Sequence, residues 1–270
     1  MIEAPRNGHS SLPDHATLWR NPASLIESNK KELQARGEST VERLESTPIP
    51  IRIHSPIILS PEQIIALGGE SNGEKIIAHR ERDTQFTMIV FGDKTTGEEH
   101  VAIVKNLGDG ENVPIRVHSS CVTAESFHAS NCDCQEQLDM ALDLIDREGR
   151  GGLLWLHQEG RGNGLAAKAQ QLNLMMTEGI DTVTAFEQLG YPGDQRDYTV
   201  AADMLRDMGV KSVVLITNSP DKMGQLERLG IEVTGRIPCE IKPINNVVKK
   251  DLAAKRTRLG HFLPESNSST

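Results

Sequence analysis

The first part of the chain is polar, and its hydrophobic residues follow no long regular pattern. Asn21-Pro22 is typical of an N-cap followed by proline in the first turn, which predicts a helix through about Ala35. The stretch IPIRIHSPIIL has the pattern of an extended segment, and the following SPEQ predicts another helix start. We expect residues 1–75 to form an N-terminal extension.

From about residue 84 onward, apolar and polar positions alternate as they do in strands. TQFTMIVFGD and EHVAIVK flank KTTGE, which predicts a hairpin, and VPIRVHSSC follows with the same alternation. Helix-like and strand-like segments then take turns along the rest of the chain. The predicted helices are 135–148, closed by Gly149, then 164–178, 198–208 and 221–230, and the predicted strands are GLLWLH, VKSVVLI and IEV.

This succession predicts an α/β fold with helices layered around a mixed, largely parallel sheet over residues 76–270. With 270 residues, a chain of this length can bury a sizeable core, which must be mainly aliphatic because aromatic residues make up only 3%. The net charge of −9 argues against nucleic acid as a partner, since phosphate backbones require a basic surface. The start of the chain lacks the apolar core of a signal peptide, and no apolar run reaches membrane-spanning length. We therefore expect a soluble, cytoplasmic protein with no membrane partner.

Three of the four cysteines lie within fourteen positions, as Cys121, Cys132 and Cys134. A disulfide between Cys132 and Cys134 would close a strained ring, and a redox pair more often has C-x-x-C spacing. Three thiolates suit a soft metal ion, for which zinc is the usual choice. Three protein ligands would leave a position for water, as in catalytic zinc sites, whereas a fourth ligand such as Cys239 or His128 would make the site structural. The spacing alone leaves both possibilities open.

Polar clusters follow the predicted strands, at the sheet edge where α/β proteins bind ligands. Arg116, His118 and Ser119 precede the first cysteine, and the glycine-rich HQEGRGNG follows GLLWLH. A glycine-rich turn before a helix can bind an anion through free N–H groups, although it can equally be an ordinary loop. TNSPDK and GYPGDQRDY add hydroxyl and charged groups at similar positions. Together with the cysteines, these loops predict a polyphosphate substrate and a hydrolytic reaction.

The chain resembles the GTP cyclohydrolase II family over about residues 84–263. The motifs that carry the resemblance occur in the same order, and they are RVHSSC through CDC, EGRGNGL, DTVTAFEQLGYPGDQRDYTVAADML, TNSPDK and LGHFL. The resemblance implies that residues 76–270 form a catalytic domain that opens the imidazole ring of GTP and releases formate and pyrophosphate in riboflavin synthesis. It also implies a zinc ion on Cys121, Cys132 and Cys134, Mg²⁺ on the triphosphate, and a homodimer.

The resemblance also assigns the remaining site residues. It implies nucleotide contacts at Arg116, Val117, His118, Ser119, Ser120, Gln137, Glu159, Gly160, Arg161, Thr182, Thr217 and Lys222. Asp194 matches the family's proton acceptor, and Arg196 matches its nucleophile on the α-phosphate. A guanidinium is a poor nucleophile because its pKa exceeds about 12. Arg196 as an electrostatic clamp on phosphate is the physically easier role.

Three positions depart from the family pattern. Ser120 stands where glutamate is usual, Asn163 replaces an aliphatic residue, and Leu172 or Asn173 stands in place of a tyrosine that contacts substrate. These changes could leave the same chemistry acting on another base, so a uracil nucleotide such as UTP, opened in uracil catabolism, is the alternative substrate to GTP. A zinc-stabilised nucleotide-binding protein without catalysis and a redox protein are the alternatives from other classes.

Overall fold

One sheet of seven strands organises the part of the chain that the computed structural model describes, residues 23–58, 77–241 and 246–264. The seven strands are β1 (Val41–Ile58), β2 (Ile77–Asp93), β3 (Glu99–Lys105), β4 (Val113–Ser119), β5 (Gly151–Leu156), β6 (Ser212–Ile216) and β7 (Glu232–Ile237). The helices are α1 (Ala23–Ala35), α2 (Val122–Glu125), α3 (Cys134–Glu148), α4 (Gly164–Glu178), α5 (Thr182–Gln188), α6 (Thr199–Asp207), α7 (Pro220–Arg228) and α8 (Asn246–Leu259).

The strands follow the order β1-β2-β3-β5-β4-β6-β7 across the sheet. β1, β2, β3 and β5 pair antiparallel in succession, whereas β5, β4, β6 and β7 are mutually parallel. The predicted α/β class and mixed sheet are confirmed, as is the hairpin around KTTGE, which joins β2 to β3. Because β4 lies between β5 and β6, the loops that follow these three strands emerge side by side at one edge of the sheet.

β1 and β2 form a long antiparallel ladder from Val41 opposite Asp93 to Ile58 opposite Ile77. The extended segment predicted around residue 53 is therefore confirmed as part of β1. β1 is the outermost strand, which suits its prolines at 48, 50 and 56, since proline cannot donate to a ladder and is tolerated at edges. The division of the chain at residue 75 stays a prediction, and the helix start predicted at SPEQ lies outside the described residues.

Helices cover both faces of the sheet and bury two aliphatic clusters. On one face, α3 contributes Ala141 and Ile145, which lie in one cluster with Phe86 and Leu153. On the other face, α6 and α7 contribute residues such as Met204 to the larger cluster. α3 ends at Gly149, whose φ of 65° is the left-handed conformation that glycine adopts most easily, as the sequence predicts.

Polar contacts hold the segment before β1, residues 23–40, against the rest of the described structure. Thr40 is fully buried, and both its backbone N–H and its hydroxyl donate to Asp203 Oδ2 of α6, each at 2.7 Å. On α1, Lys30 Nζ lies 2.9 Å from Asp197 Oδ1 in the loop that precedes α6. The segment 23–40 thus contacts the element that follows GYPGDQRDY.

The predicted helices agree with the structure over α3, α4, α6 and α7, and α1 ends at the expected residue. The cap predicted at Asn21-Pro22 lies outside the described residues. Three helices were not predicted from the sequence, namely α2, α5 and α8. Among the residues described, no helix combines the length and apolar character needed to cross a membrane.

Candidate active site

The site lies in a cleft at the carboxyl ends of β4, β5 and β6. β4 ends at Ser119 and is followed by the first cysteine, β5 is followed by residues 157–164, and β6 by residues 217–222. Gly162 lets the second loop approach the 194–196 segment, because a Cβ at this position would lie 3.2 Å from the carbonyl carbon of Gln195. The Gln195 N–H donates to Arg161 O at 2.9 Å, which joins the two loops.

The three clustered cysteines come together in the cleft. Their Sγ atoms all lie within 4.8 Å of one another, and those of Cys121 and Cys132 are 3.7 Å apart. Two thiolates on a tetrahedral zinc ion, with Zn–S of about 2.3 Å, would have sulfurs about 3.8 Å apart. Among the described residues, neither His128 nor Cys239 belongs to this group. The donor set therefore fits a metal ion with three protein ligands.

Two charged side chains hold the first cysteine in place. Lys168 of α4 is almost fully buried, and its ammonium donates to Cys121 Sγ at 3.0 Å and to Glu159 Oε1 at 2.7 Å. The Glu125 carboxylate accepts from the Cys121 N–H at 2.8 Å and from Trp155 Nε1 at 2.7 Å. Such partners around a ligating residue fix its orientation.

The thiol pKa values reflect one shared negative charge. Hydrogen bonds from Cys132 and Cys134 lower the pKa of Cys121, and the Lys168 ammonium lowers it further. The interaction with the Cys121 sulfur raises the pKa of Cys132 to about 12, and it raises the pKa of Cys134 as well. Three sulfurs this close can all be thiolates only when a cation is bound among them, which supports the same interpretation as their spacing.

Cationic side chains form the wall of the cleft beside the cysteines. Arg116 on β4 donates to the Ile216 carbonyl at 3.0 Å, and Lys222 on α7 donates to the Val117 carbonyl at 2.5 Å. Burial, together with the neighbouring charges of Arg116 and Arg196, lowers the pKa of Lys222. Arg161 adopts φ of 58°, and its buried Nη1 has no hydrogen-bond partner among the described residues. Unpaired donors and crowded positive charge are the features of a site for an anion.

Arg196 and Asp194 form a forked pair at the edge of this wall. The Asp194 carboxylate accepts from Arg196 Nε at 2.9 Å, from Nη2, and from the backbone N–H at 3.1 Å. Burial would raise the pKa of Asp194, but the guanidinium outweighs it and the pKa is lowered. Burial would lower the pKa of Arg196, but Tyr198 and Asp194 outweigh it and the pKa is raised. Both groups are therefore charged at neutral pH.

Most residues predicted for the site line this one cleft. They are Arg116, His118, Ser119, Ser120, Cys121, Cys132, Cys134, Gln137, Glu159, Gly160, Arg161, Thr182, Arg196, Thr217 and Lys222. Val117 is an exception, because its side chain is buried in the core and only its carbonyl faces Lys222. Asp194 is not among the residues that line the cleft, but it pairs with Arg196, which does line it.

The positions that depart from the family pattern occupy different environments. Ser120 lines the cleft, and its buried Oγ has no partner among the described residues. On α4, the residues that line the cleft are Lys168, Gln171 and Met175, whereas Leu172 and Asn173, which stand at the place of the family's tyrosine, do not line it. Leu172 is half-buried and Asn173 is exposed. Asn163 instead joins loops, donating to the Gly160 and Pro192 carbonyls.

Sequence reasoning missed several residues of the site. Glu125 gave no sequence signal beyond a single charge in apolar surroundings, and Lys168 was not assigned to the site either. The α8 region was not assigned to the site, yet Asp251, Lys255 and His261 line the cleft. Burial lowers the pKa of His261 to about 3, and the charge of Lys255 adds to the shift. The spacing of Lys168 and Gln171, three apart on one helix face, is the signal that could have indicated a polar face.

Fold and site together define an α/β protein whose cleft combines a three-thiolate cluster with a cationic wall. The family model for GTP cyclohydrolase II matches residues 75–238, well over half of the sequence. The chain belongs to the GTP cyclohydrolase II family.

Several curated riboflavin biosynthesis proteins are similar to the chain. The riboflavin biosynthesis protein RibBA of Endomicrobium trichonymphae is 42% identical over 179 residues, which cover 66% of this chain and 44% of the relative. A probable bifunctional riboflavin biosynthesis protein, RIBA 2, chloroplastic, of Oryza sativa subsp. japonica is 46% identical over 173 residues, covering 63% of this chain and 31% of the relative. The chain therefore spans less than half the length of these relatives.

Proposed function

We propose that the protein is a zinc-dependent GTP cyclohydrolase II, which hydrolytically opens the imidazole ring of GTP and releases formate and pyrophosphate. The observation that carries the proposal is the position of three thiols next to a wall of buried cationic side chains, in a chain of this family. One part of the cleft suits a metal ion and the adjoining part suits phosphates, as hydrolysis of a nucleoside triphosphate requires.

Zinc is the metal that the cysteines suit best, because the ligand group found among the described residues consists of three thiols and includes no carboxylate. The residues that would hold it are Cys121, Cys132 and Cys134. When bound, zinc supplies Lewis-acid activation of water at neutral pH. Lys168 would offset part of the thiolate charge through its contact with Cys121, and Glu125 would fix the backbone at that residue.

The cationic wall would bind the triphosphate together with Mg²⁺. Arg116 and Lys222 are held by backbone carbonyls, so their charges are fixed in position before substrate arrives. The buried Nη1 of Arg161, which has no partner in the described part of the chain, is available for a phosphate oxygen. Thr217 and Ser119 add hydroxyl groups at the ends of β6 and β4. Preorganised donors of this kind stabilise developing charge better than groups that must reorient.

Arg196 fits the role of a phosphate clamp. Asp194 holds its guanidinium in a fork and, with Tyr198, raises its pKa, so the group stays protonated and has no lone pair for attack on phosphorus. Asp194 would orient Arg196 and balance its charge. The nucleophile role that the resemblance implies would require Asp194 to take a proton from Arg196, which the lowered pKa of the carboxylate opposes.

The relatives bear names of riboflavin biosynthesis, which supports GTP as the substrate. The uracil nucleotide remains the alternative substrate because of Ser120, which replaces a carboxylate of the family pattern and whose hydroxyl has no partner within the described ranges. The homodimer and the cytoplasmic location stay predictions.

The test is turnover by purified, zinc-loaded protein with Mg²⁺ and GTP, UTP, CTP or ATP in separate reactions. We expect GTP alone to yield pyrophosphate and formate, with a change in its ultraviolet spectrum. Loss of the uracil chromophore from UTP, with GTP unchanged, would favour the alternative. Asp194→Ala serves as the control, since it should lose turnover while keeping its zinc. If no triphosphate is turned over by the wild-type protein, the proposal is wrong.

A further inference from the structure

The helix α8 lies outside residues 75–238 that match the family, and it nonetheless reaches the site. The buried side of α8 carries Val248, Asp251 and Ala254, and Lys255 lies beside them. Asp251 and Lys255 both line the cleft. Buried charges are costly unless they are paired, so the two charged side chains on this face must have partners.

Lys255 is clamped between two carboxylates. Its Nζ lies 2.7 Å from Asp133 Oδ1 and 2.7 Å from Asp251 Oδ2. Asp133 is 1% exposed, and it is the single residue between Cys132 and Cys134. Among the described residues, Lys255 is the cation that pairs with Asp133. A residue from α8 therefore neutralises a buried charge inside the cysteine segment.

The contact continues from Asp133 to the nucleotide side of the cleft. The second oxygen of Asp133 accepts from Gln137 Nε2 at 2.5 Å. The amide oxygen of Gln137 in turn accepts from Arg116 Nη2. A continuous row of hydrogen bonds thus joins Lys255 to Arg116, through a residue that lies between two of the proposed metal ligands.

We propose that Lys255 is a positioning residue of the active site, which holds Asp133 so that the cysteine segment and the Gln137–Arg116 pair are set for metal and nucleotide. The inference rests on the proposed function for the identity of these ligands as zinc and GTP. Without Lys255, Asp133 would be a buried carboxylate with no cation, and the segment around it would have to move to reach water. Such a movement displaces two cysteines and Gln137 together.

Other contacts keep α8 in place when Lys255 is changed. Arg258 pairs with Glu187 at 3.2 Å, and the Phe262 N–H donates to the Asn218 carbonyl at 2.8 Å. The Arg236 guanidinium also lies over the Phe262 ring, 5.0 Å from its centre. We therefore expect Lys255 variants to fold, so that their binding properties can be compared directly.

The experiment compares Lys255→Met and Lys255→Arg with Lys250→Met in the full chain. Lys250 is an exposed lysine on the same helix, so it controls for the loss of one positive charge. The measurements are zinc retained against a competing chelator, binding of a GTP analogue with a methylene bridge between the α- and β-phosphorus atoms, and the midpoint of urea unfolding. Loss of a partner around metal ligands typically costs about 10–100-fold in affinity or activity.

We expect Lys255→Met to weaken both zinc retention and analogue binding by about 10–100-fold, and Lys255→Arg to restore most of both. Lys250→Met should match the wild type. Equal binding by Lys255→Met and Lys250→Met would overturn the inference, and so would a lowered unfolding midpoint with unchanged binding. In an Asp133→Asn background, Lys255→Met should weaken zinc retention and analogue binding little further, because the residue between the cysteines no longer carries a charge for Lys255 to neutralise, although the pair with Asp251 within α8 is still lost.

A failure of the inference about Lys255 can be distinguished from a failure of the proposed function. Turnover of GTP by the wild-type protein tests the function and does not involve Lys255 variants. If the wild type does not open GTP, zinc retention by Lys255→Met still decides whether Lys255 positions the cysteine segment. If the wild type is active and Lys255→Met binds both ligands normally, only the inference about Lys255 is wrong.

Discussion

The substitution Arg196→Lys separates the two roles that Arg196 could have. The guanidinium makes two side-chain bonds to Asp194, one from Nε at 2.9 Å and one from Nη2. Lysine keeps the positive charge but has a single nitrogen, so it can keep one of these bonds at most. A hydrogen bond to a charged group contributes about 1.5–3 kcal/mol, which corresponds to about 10- to 150-fold in rate.

A phosphate clamp therefore predicts that Arg196→Lys lowers kcat/KM by about 10- to 150-fold. Arg196→Met also removes the charge, and it should lose about 10²–10³-fold more, as does removal of one preorganised donor from an active site. The assay is release of pyrophosphate and formate from GTP by zinc-loaded variants. Zinc content and the unfolding midpoint are measured for each variant, so that a fall in rate can be attributed to the side chain.

The reasoning would be refuted by an Arg196→Lys protein as inactive as Arg196→Met, with zinc and fold intact. A covalent nucleotide on Arg196 of the wild-type protein, detected by mass spectrometry after a rapid quench, would refute it independently. The covalent nucleotide would mean that the guanidinium loses its proton during the reaction, in spite of its raised pKa. An inactive Arg196→Lys protein would mean that a positive charge at this position is not what Arg196 supplies.

Three further predictions follow from the contacts described. Cys132→Ser should lose zinc, measured per chain by elemental analysis, because a hydroxyl is a poor replacement for a thiolate ligand. Binding of the GTP analogue should weaken as pH rises through the lowered pKa of Lys222, because the ammonium loses its charge there. A bound phosphate would favour the charged ammonium and raise the pKa of Lys222. In titration calorimetry, Lys222→Met should therefore make binding depend less on pH. Asp203→Ala should lower the free energy of unfolding by about 2–4 kcal/mol in urea, because two buried donors of Thr40 lose their acceptor.

Each of these has a result that contradicts it. Full zinc in Cys132→Ser would remove that residue from the ligand set. A pH profile unchanged by Lys222→Met would mean that another group titrates. For Asp203, the matched control is Asp207→Ala on the same helix, whose exposed pair with Arg43 should contribute less than about 1 kcal/mol; equal effects of the two substitutions would show that burial of Thr40 does not matter.

The sequence predicts most of the strands and helices because their apolar residues recur with regular spacing or, as in β5, form a short continuous run. It also predicts that Cys121, Cys132 and Cys134 converge, since thiols this close in the chain have few other uses. It fails for α8, whose inward face holds Asp251 and Lys255 beside Val248 and therefore shows no hydrophobic period. Residues such as these are stabilised by partners far away in the chain, which no local pattern reveals.

The side of α4 that lines the cleft shows a second reason for failure. Leu172 or Asn173 stands at the place of the family's tyrosine, but neither lines the cleft, whereas Gln171 and Met175 do. One residue along a helix turns a side chain by about 100°, so an assignment that is off by one position selects a different face. The sequence alone does not decide which of these side chains lines the cleft with Ser120.

The pairing of β1 with β2 determines how the chain can be shortened for laboratory work. A chain trimmed to residues 75–238 would lack β1 and leave the outer side of β2 without its partner over the whole ladder. A long uncovered strand is a template for joining other chains, and the prolines that protect the outer edge of the sheet would be removed with β1. We expect such a trimmed protein to aggregate during expression, even though it contains every residue that the family model recognises.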